Sequence, residues 1–590
     1  MKILPAIRRF FVASLAFALA LLPAIPAQAE AYDAHPKLVV LLVIDQFRGD
    51  MLERYAADFK GNGFRLFTQQ GAYFPDCYYE YANTKTAPGH ATLGTGAYTD
   101  GHGIASNDWW DLDRFQSHVV SSVDDERYKV VGLPDSSIPS KQPSAPPWAL
   151  DYLPGQSPRN LRASTVGDEL RLATEGKARV YGISLKDRAS ILPAGQAANA
   201  AFWINPASGH FITSTYYTNQ LPEWAVAFNA SGEAEKFGEQ SFADGTNFYE
   251  MVGRTPLANT YEIDFAEALI KGEHLGANPD GVTDMLTLSL SAHDILGHQM
   301  GPDSPSEKMM VDALDVDLDR FFTWLDKNIG LANVVIAFSA DHGIGPVPSQ
   351  AAKLGINAAT IHLDTVAEEI NKHLNDEFVK RISNKPLTFI HPAPELPYIA
   401  LNGPAFLQVG VDEQKAEKMV RDLALAAIAA QVPKPEETSA EPPPLQPLES
   451  KHLPIPADHR LPPTPAIFRS YTKVDMAEGR YPQNELGHLL AHSYSPNGGW
   501  WVMLIPDAYQ QEFFGSIQTN HYTPYSYDRH VPLAFYGAAF KPGVYRGRVA
   551  PVDLAATLAS LLGINQPSAS VGKILTQALK PTTLEGTSAK

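Results

Sequence analysis

Leu38-Val39-Val40-Leu41-Leu42-Val43-Ile44 is an unbroken apolar run, and Asp45 follows it at once. A run without alternation fits a strand buried on both faces of a parallel sheet, because a strand with one wet face would alternate. The form recurs: Met285 to Leu290 ends shortly before Asp294, and Ala332 to Phe338 shortly before Asp341. Helical patterns separate these runs, Lys308 to Ile329 among them. A further strand over Val531 to Tyr536 precedes an apolar helix over Val552 to Leu562. The predicted class is α/β, a mostly parallel central sheet flanked by helices. Ligands of such sheets gather beyond the carboxyl ends of the strands, which is where the aspartates fall.

The start of the chain reads as an export signal over residues 1–29. Lys2, Arg8 and Arg9 precede the apolar stretch Phe10 to Leu22, and Ala27-Gln28-Ala29 offers a small-residue cleavage site. The apolar stretch is shorter than the roughly 20 residues of a spanning helix. The expected location is therefore the periplasm or the exterior, with no stable membrane span after cleavage. Losing those three cations would take the formal charge from -18 to -21. So acidic a chain disfavours nonspecific nucleic-acid binding and charge-driven adhesion to anionic lipid. Cys77 is the single cysteine, which rules out an intrachain disulfide, and its aromatic surroundings fit a buried, inert thiol. It is followed by Tyr78-Tyr79-Glu80 and not by a Cys-x-Pro-x-Arg type segment, which excludes sulfatase chemistry.

Residues 30–590 are expected to form one catalytic domain, with insertions around 109–280 and 350–480. Within the second lies a proline-rich stretch, 433–465, expected to be an extended surface loop.

Six side chains suited to a metal recur near predicted strand ends: Asp45, Asp294, His298, Asp341, His342 and His521. Gly343 eases the backbone bend that two adjacent ligands, Asp341 and His342, would require. Zn²⁺ accepts both imidazole and carboxylate, and paired sites about 4 Å apart can clamp both ends of a phosphoryl displacement. Thr86, in Thr86-Ala87-Pro88-Gly89-His90, offers a hydroxyl beside them, with Thr84 as its rival. Thr86 can equally be read as the cap of a helix running through His90 to Leu93. Lys186 and Arg188 follow a strand around Val180 to Ile183, and alternating residues there could point together into a site. A solvated charged turn is the plainer reading of that pair.

These segments together resemble the alkaline phosphatase superfamily. They are most similar to its threonine-nucleophile, phosphate-irrepressible periplasmic phosphomonoesterase branch. The matching stretches are Val43 to Arg48, Thr86 to His90, His102-Gly103-Ile104 leading to Asn107, Thr213 to Tyr217, Asp294 to His298, Asp341-His342-Gly343 and Tyr527-Asp528 before Val531-Pro532-Leu533. The resemblance implies an alkaline phosphatase-like fold and two Zn²⁺ ions. One would be held by Asp45, Thr86, Asp341 and His342, the other by Asp294, His298 and His521. It implies Thr86 as the nucleophile, forming a covalent phosphothreonine, and Asn107, Lys186 and Arg188 as the groups binding the phosphoryl oxygens. It leaves open any structural Ca²⁺ or Mg²⁺. The chain departs from the family at His521, where Tyr522 follows in place of the usual glycine, and His530 is the rival ligand. His90, His102 and His210 are expected to be structural.

The expected function is zinc-dependent hydrolysis of small-molecule phosphate monoesters by a monomer, with broad tolerance for the alcohol. A monoester brings nearly two negative charges, which Lys186 and the planar fork of Arg188 can meet. The alternatives are a nucleotide pyrophosphatase/phosphodiesterase and, from another class, a catalytically inactive extracellular binding protein.

Overall fold

The structure, a computed structural model, describes residues 35–580 except 111–118, 134–154, 207, 235, 237–251, 381–384, 393, 432–462, 496–498, 514 and 516. The predicted export signal and nearly all of the proline-rich stretch lie outside the described residues.

Ten strands form the main sheet: β1 (Leu38–Ile44), β2 (Ala72–Tyr78), β3 (Val130–Val131), β4 (Val180–Ser184), β5 (Ala200–Ile204), β6 (Phe211–Ser214), β7 (Asp284–Leu290), β8 (Val334–Ser339), β9 (His530–Tyr536) and β10 (Gly543–Val544). Their order is β10-β2-β9-β8-β1-β7-β4-β5-β6-β3. The run β8-β1-β7-β4-β5 is parallel throughout, and antiparallel pairs flank it on both sides. β1 lies at the middle, paired from Leu38↔Asp284 to Ile44↔Leu290 on one side and from Leu38↔Val334 on the other. Every side chain of β1 is fully buried, which accounts for its lack of alternation. Each such Leu, Val or Ile contributes about 1.5–3 kcal/mol by leaving water. The long helix Pro305–Asn328 starts with Ser304 Oγ accepting from Glu307 N, and buries Met310, Val311, Leu314, Leu318, Phe321, Phe322 and Leu325 against the sheet core.

Residues 109–280 are less of an insertion than the sequence suggests, since they supply β3, β4, β5 and β6. Of these, β4 is the strand expected around Val180 to Ile183; the others are too short to show much periodicity of their own. Residues from the other expected insertion build a separate core. Helices Leu363–Leu374 and Glu413–Ala429 pack on a three-stranded sheet of Tyr398–Leu401, Trp500–Pro506 and Ile467–Thr472. Tyr522 belongs to this second core. Among the described residues, no helix is long and apolar enough to cross a membrane.

Candidate metal centre

The carboxyl ends of β1, β7, β8 and β4 place Asp45, Asp294, Asp341 and Lys186 together. Asp45 extends the pairing of β1, its N–H donating to Leu290 O at 3.1 Å. Asp294 and His298 stand one turn apart on helix α3 (Ala292–Met300), so they share a face. Two groups of potential ligands result, Asp45 with Asp341 and His342, and Asp294 with His298 and His521, each with its ligand atoms within 4.8 Å of one another.

Each of the three imidazoles is oriented in the same way. His342 Nδ1 donates to Gly343 O at 2.9 Å, His298 Nδ1 to Thr519 O at 3.0 Å and His521 Nδ1 to Thr84 O at 2.5 Å. A carbonyl only accepts, so the proton sits on Nδ1 and the Nε2 lone pair is left for a metal. The rings converge, His342 on His521 at 3.7 Å and His298 on His521 at 5.1 Å. Asp45 Oδ1, Asp341 Oδ2 and His342 Nε2 are buried with no hydrogen-bond partner. Polar atoms left in that state cost free energy unless a cation meets them, so the donor set fits a metal ion.

The charges agree with this. Burial pushes the Asp45 carboxyl well above its usual range, helped by Asp294 and Asp341 and opposed by Lys186. Burial also disfavours charge on Asp294, but Lys186 and His298 outweigh it and hold that carboxyl well below the usual range. At Asp341 burial is likewise outweighed, here by His342 and His90. Burial lowers His342 and, more strongly, His521. At His298 the neighbouring Asp294 overcomes burial and raises the imidazole.

Thr86 opens helix α1 (Thr86–Thr95) as its first residue, while Lys85 takes the cap position that the sequence allowed Thr86. The first turn of α1 presses on the ligands: a Cβ at Gly89 would overlap Asp341, and His90 Nδ1 lies 3.3 Å from Asp341 Oδ2. Asn107 Oδ1 accepts from Ala87 N at 2.8 Å, which fixes the oxygen end of the amide on the backbone of the residue after Thr86. Lys186 caps helix α2 (Asp187–Ala194), and Arg188 lies in its first turn. Gly94 of α1 packs closely on Pro193 of α2, so the two helices carry Thr86, Lys186 and Arg188 to one end of the sheet. Lys186 is expected from sequence to face a phosphoryl group. Its Nζ lies 2.5 Å from both Asp45 Oδ2 and Asp294 Oδ2, at the seam between the two groups. Arg188 is a quarter exposed and lies 3.7 Å from Asp187.

The rival histidines are engaged elsewhere. His530 Nε2 bonds Pro75 O at 2.7 Å and the ring stacks on Tyr78. His90 bonds Thr86 O and Ser289 Oγ. His102 Nδ1 accepts from Ile104 N and its Nε2 bonds Thr92 Oγ1, with burial pushing its pKa down to about 3. Sequence reasoning missed several supports. Gln46 bonds both ligand groups. His293 bridges Asp45 O and Glu307 Oε1 at 3.1 and 2.8 Å. Lys85, fully buried, pairs with Glu395 Oε2 at 2.5 Å and lies 4.2 Å from the centre of the Tyr522 ring. Tyr522 has a left-handed backbone, φ 88°, where the family's glycine is expected, and that replacement is the sequence signal that points to this support.

Residues 39–467 match the family model for type I phosphodiesterase / nucleotide pyrophosphatase. The chain belongs to that family. Alkaline phosphatase PafA of Elizabethkingia meningoseptica is 31% identical, over 92% of this chain and 94% of its own length. A Myroides odoratus protein named calcium-transporting ATPase is 30% identical, over 92% of this chain and 95% of its own. Alkaline phosphatase PhoV of Synechococcus elongatus is also 30% identical, over 93% and 94%. The crystal structure of wild-type PafA superimposes with a TM-score of 0.75 at 28% identity, covering 93% of this chain and 99% of the other. The fold is thus the alkaline phosphatase-like α/β arrangement of this family, and the alkaline phosphatases among the relatives match nearly the whole chain.

Proposed function

We propose that this family member is a phosphomonoesterase that hydrolyses small phosphate monoesters to alcohol and inorganic phosphate, with Thr86 as nucleophile. The observation that carries the reading is the pairing of two three-residue ligand groups across one seam, with the first turn of α1 pressed against Asp341. Asp45, Asp341 and His342, joined by Thr86, would hold one zinc ion, and Asp294, His298 and His521 the other. Bound there, zinc supplies Lewis acidity that favours a deprotonated hydroxyl and offsets charge on the leaving oxygen.

The chain's own residues do the rest. The N-terminus of α1 favours the incoming phosphoryl charge, and the NH₂ of Asn107, turned by the Ala87 bond, donates to it. Lys186 and Arg188 add cationic charge matched to a dianionic monoester; a diester brings one charge fewer and an extra organic group. Thr86 attacks phosphorus as the P–O bond to the alcohol breaks. Water then cleaves the phosphothreonine and restores the hydroxyl. The predicted export signal supports action in the periplasm or outside the cell.

Hydrolysis of an aryl phosphate monoester and of its methyl diester tests the reading, in the parent and in a variant with Lys186→Ala and Arg188→Ala. The parent is expected to prefer the monoester strongly, and the variant to lose monoesterase activity selectively. A parent that prefers the diester overturns the assignment. Thr86→Ala should abolish the phosphoprotein trapped by acid quench while retaining the bound metal of the other ligands.

A further inference from the structure

Gln46 follows Asp45 directly, is fully buried, and has φ 67°, in the left-handed region that non-glycine residues seldom adopt. That turn aims two donors in different directions. The Gln46 backbone N–H reaches Asp341 Oδ1 at 3.0 Å, in the first ligand group, and its side-chain Nε2 reaches Asp294 Oδ1 at 2.6 Å, in the second. Since a carboxylate only accepts, the amide is oriented with its NH₂ toward Asp294. His293 Nδ1 bonds Asp45 O at the same turn, and its Nε2 lies 2.8 Å from Glu307 Oε1. Helix α3 leaves space for the amide at Gly297, between Asp294 and His298, where a Cβ would overlap Gln46 Oε1.

We propose that Gln46 is a positioning residue that ties the two ligand groups together, setting the orientation of Asp294 relative to Asp341 and so the affinity of the second metal site. The inference rests on the two-metal reading above. The left-handed backbone persists here because two carboxylates and His293 hold the turn in place. Nothing about the amide requires it to touch substrate; it acts through Asp294.

Three variants test this, each read by zinc equivalents retained against a chelator of known affinity as well as by turnover. Gln46→Met removes the side-chain donor at similar size. Gln46→Gly removes it while also relieving the backbone. Gly297→Ala leaves Gln46 in place but displaces its amide, and alanine is no burden to a helix. In all three, zinc is expected to be lost first from the site of Asp294, His298 and His521, with affinity there down about 10–100-fold and one equivalent retained at the other. Gly297→Ala should keep the parent's melting temperature within a few degrees, which separates positioning from a general loss of packing. Parent-like affinity at both sites in Gln46→Met and Gly297→Ala overturns the inference while leaving the function standing. A parent that binds no zinc, or only one equivalent, overturns the two-metal reading itself.

Discussion

The two ligand groups differ in how they are held. Asp45, Asp341 and His342 follow adjacent parallel strands and are fully buried. Their geometry is inherited from the sheet ladder. Asp294 and His298 ride on a helix, and His521 comes from a loop held to Thr84 by three hydrogen bonds, from the His521 ring, from Tyr522 N and to Thr523 O, and to the second core through Tyr522. The first group is therefore as rigid as the core, whereas the second depends on contacts made by residues far apart in the chain. A metal centre of this kind has one site built by folding and another that its surroundings can adjust.

The most severe way to break this contrast is to remove a sheet-anchored ligand. Asp341→Asn should lower monoester turnover by more than about 100-fold and empty the first site, because the carboxylate also receives Gln46 N and His342 N. His298→Ala should empty the second site and leave the first loaded. Metal analysis of both purified variants checks the pair, and loss of both equivalents from His298→Ala would erase the distinction.

Tyr522→Gly comes next. It relieves a left-handed backbone but removes a buried ring, for which aromatic truncations cost about 3–5 kcal/mol. A net loss of roughly 2–4 kcal/mol in denaturant unfolding is expected, with zinc weakened only at the second site. Weakening at the first site instead would show the groups to be held alike.

Acid should also separate them. Asp294 raises the His298 imidazole, whereas burial lowers that of His342. As pH falls, His298 takes up its proton first, so the second site should release zinc at a higher pH than the first. Zinc retained after desalting between pH 7 and pH 4 measures this, and simultaneous release would contradict it. The smallest effect belongs to His530→Gln, which should leave zinc content and turnover within twofold of the parent and cost about 1 kcal/mol from its bond to Pro75 O.

Much of this architecture is legible in the sequence because its signals are local. Seven apolar residues before Asp45 mark the central strand, and the same pattern locates Asp294 and Asp341 at neighbouring strand ends. The supports are not local. Gln46 is a neutral amide whose role arises from its left-handed turn and from partners 248 and 295 residues away. Lys85 and Glu395 are separated by 310 residues. β5 and β6 are short and sit in a stretch of irregular composition, and although a strand is legible around Val180 to Ile183, its membership in the main sheet emerges only when β4 pairs with β7. Lys186 shows the same limit: its charge is plain, but its seat between two aspartates is a property of the packing of α1 on α2.

The Lys85, Tyr522 and Glu395 contact has a consequence for anyone who would trim or recombine this enzyme. Excising residues 361–504 to obtain a minimal scaffold would strip Lys85 of its carboxylate and leave Tyr522 without its apolar bed, loosening the start of α1 and the His521 loop together. The same linkage makes the segment a handle for directed evolution. Swapping it among homologous chains would retune turnover while every metal-binding side chain stays as inherited.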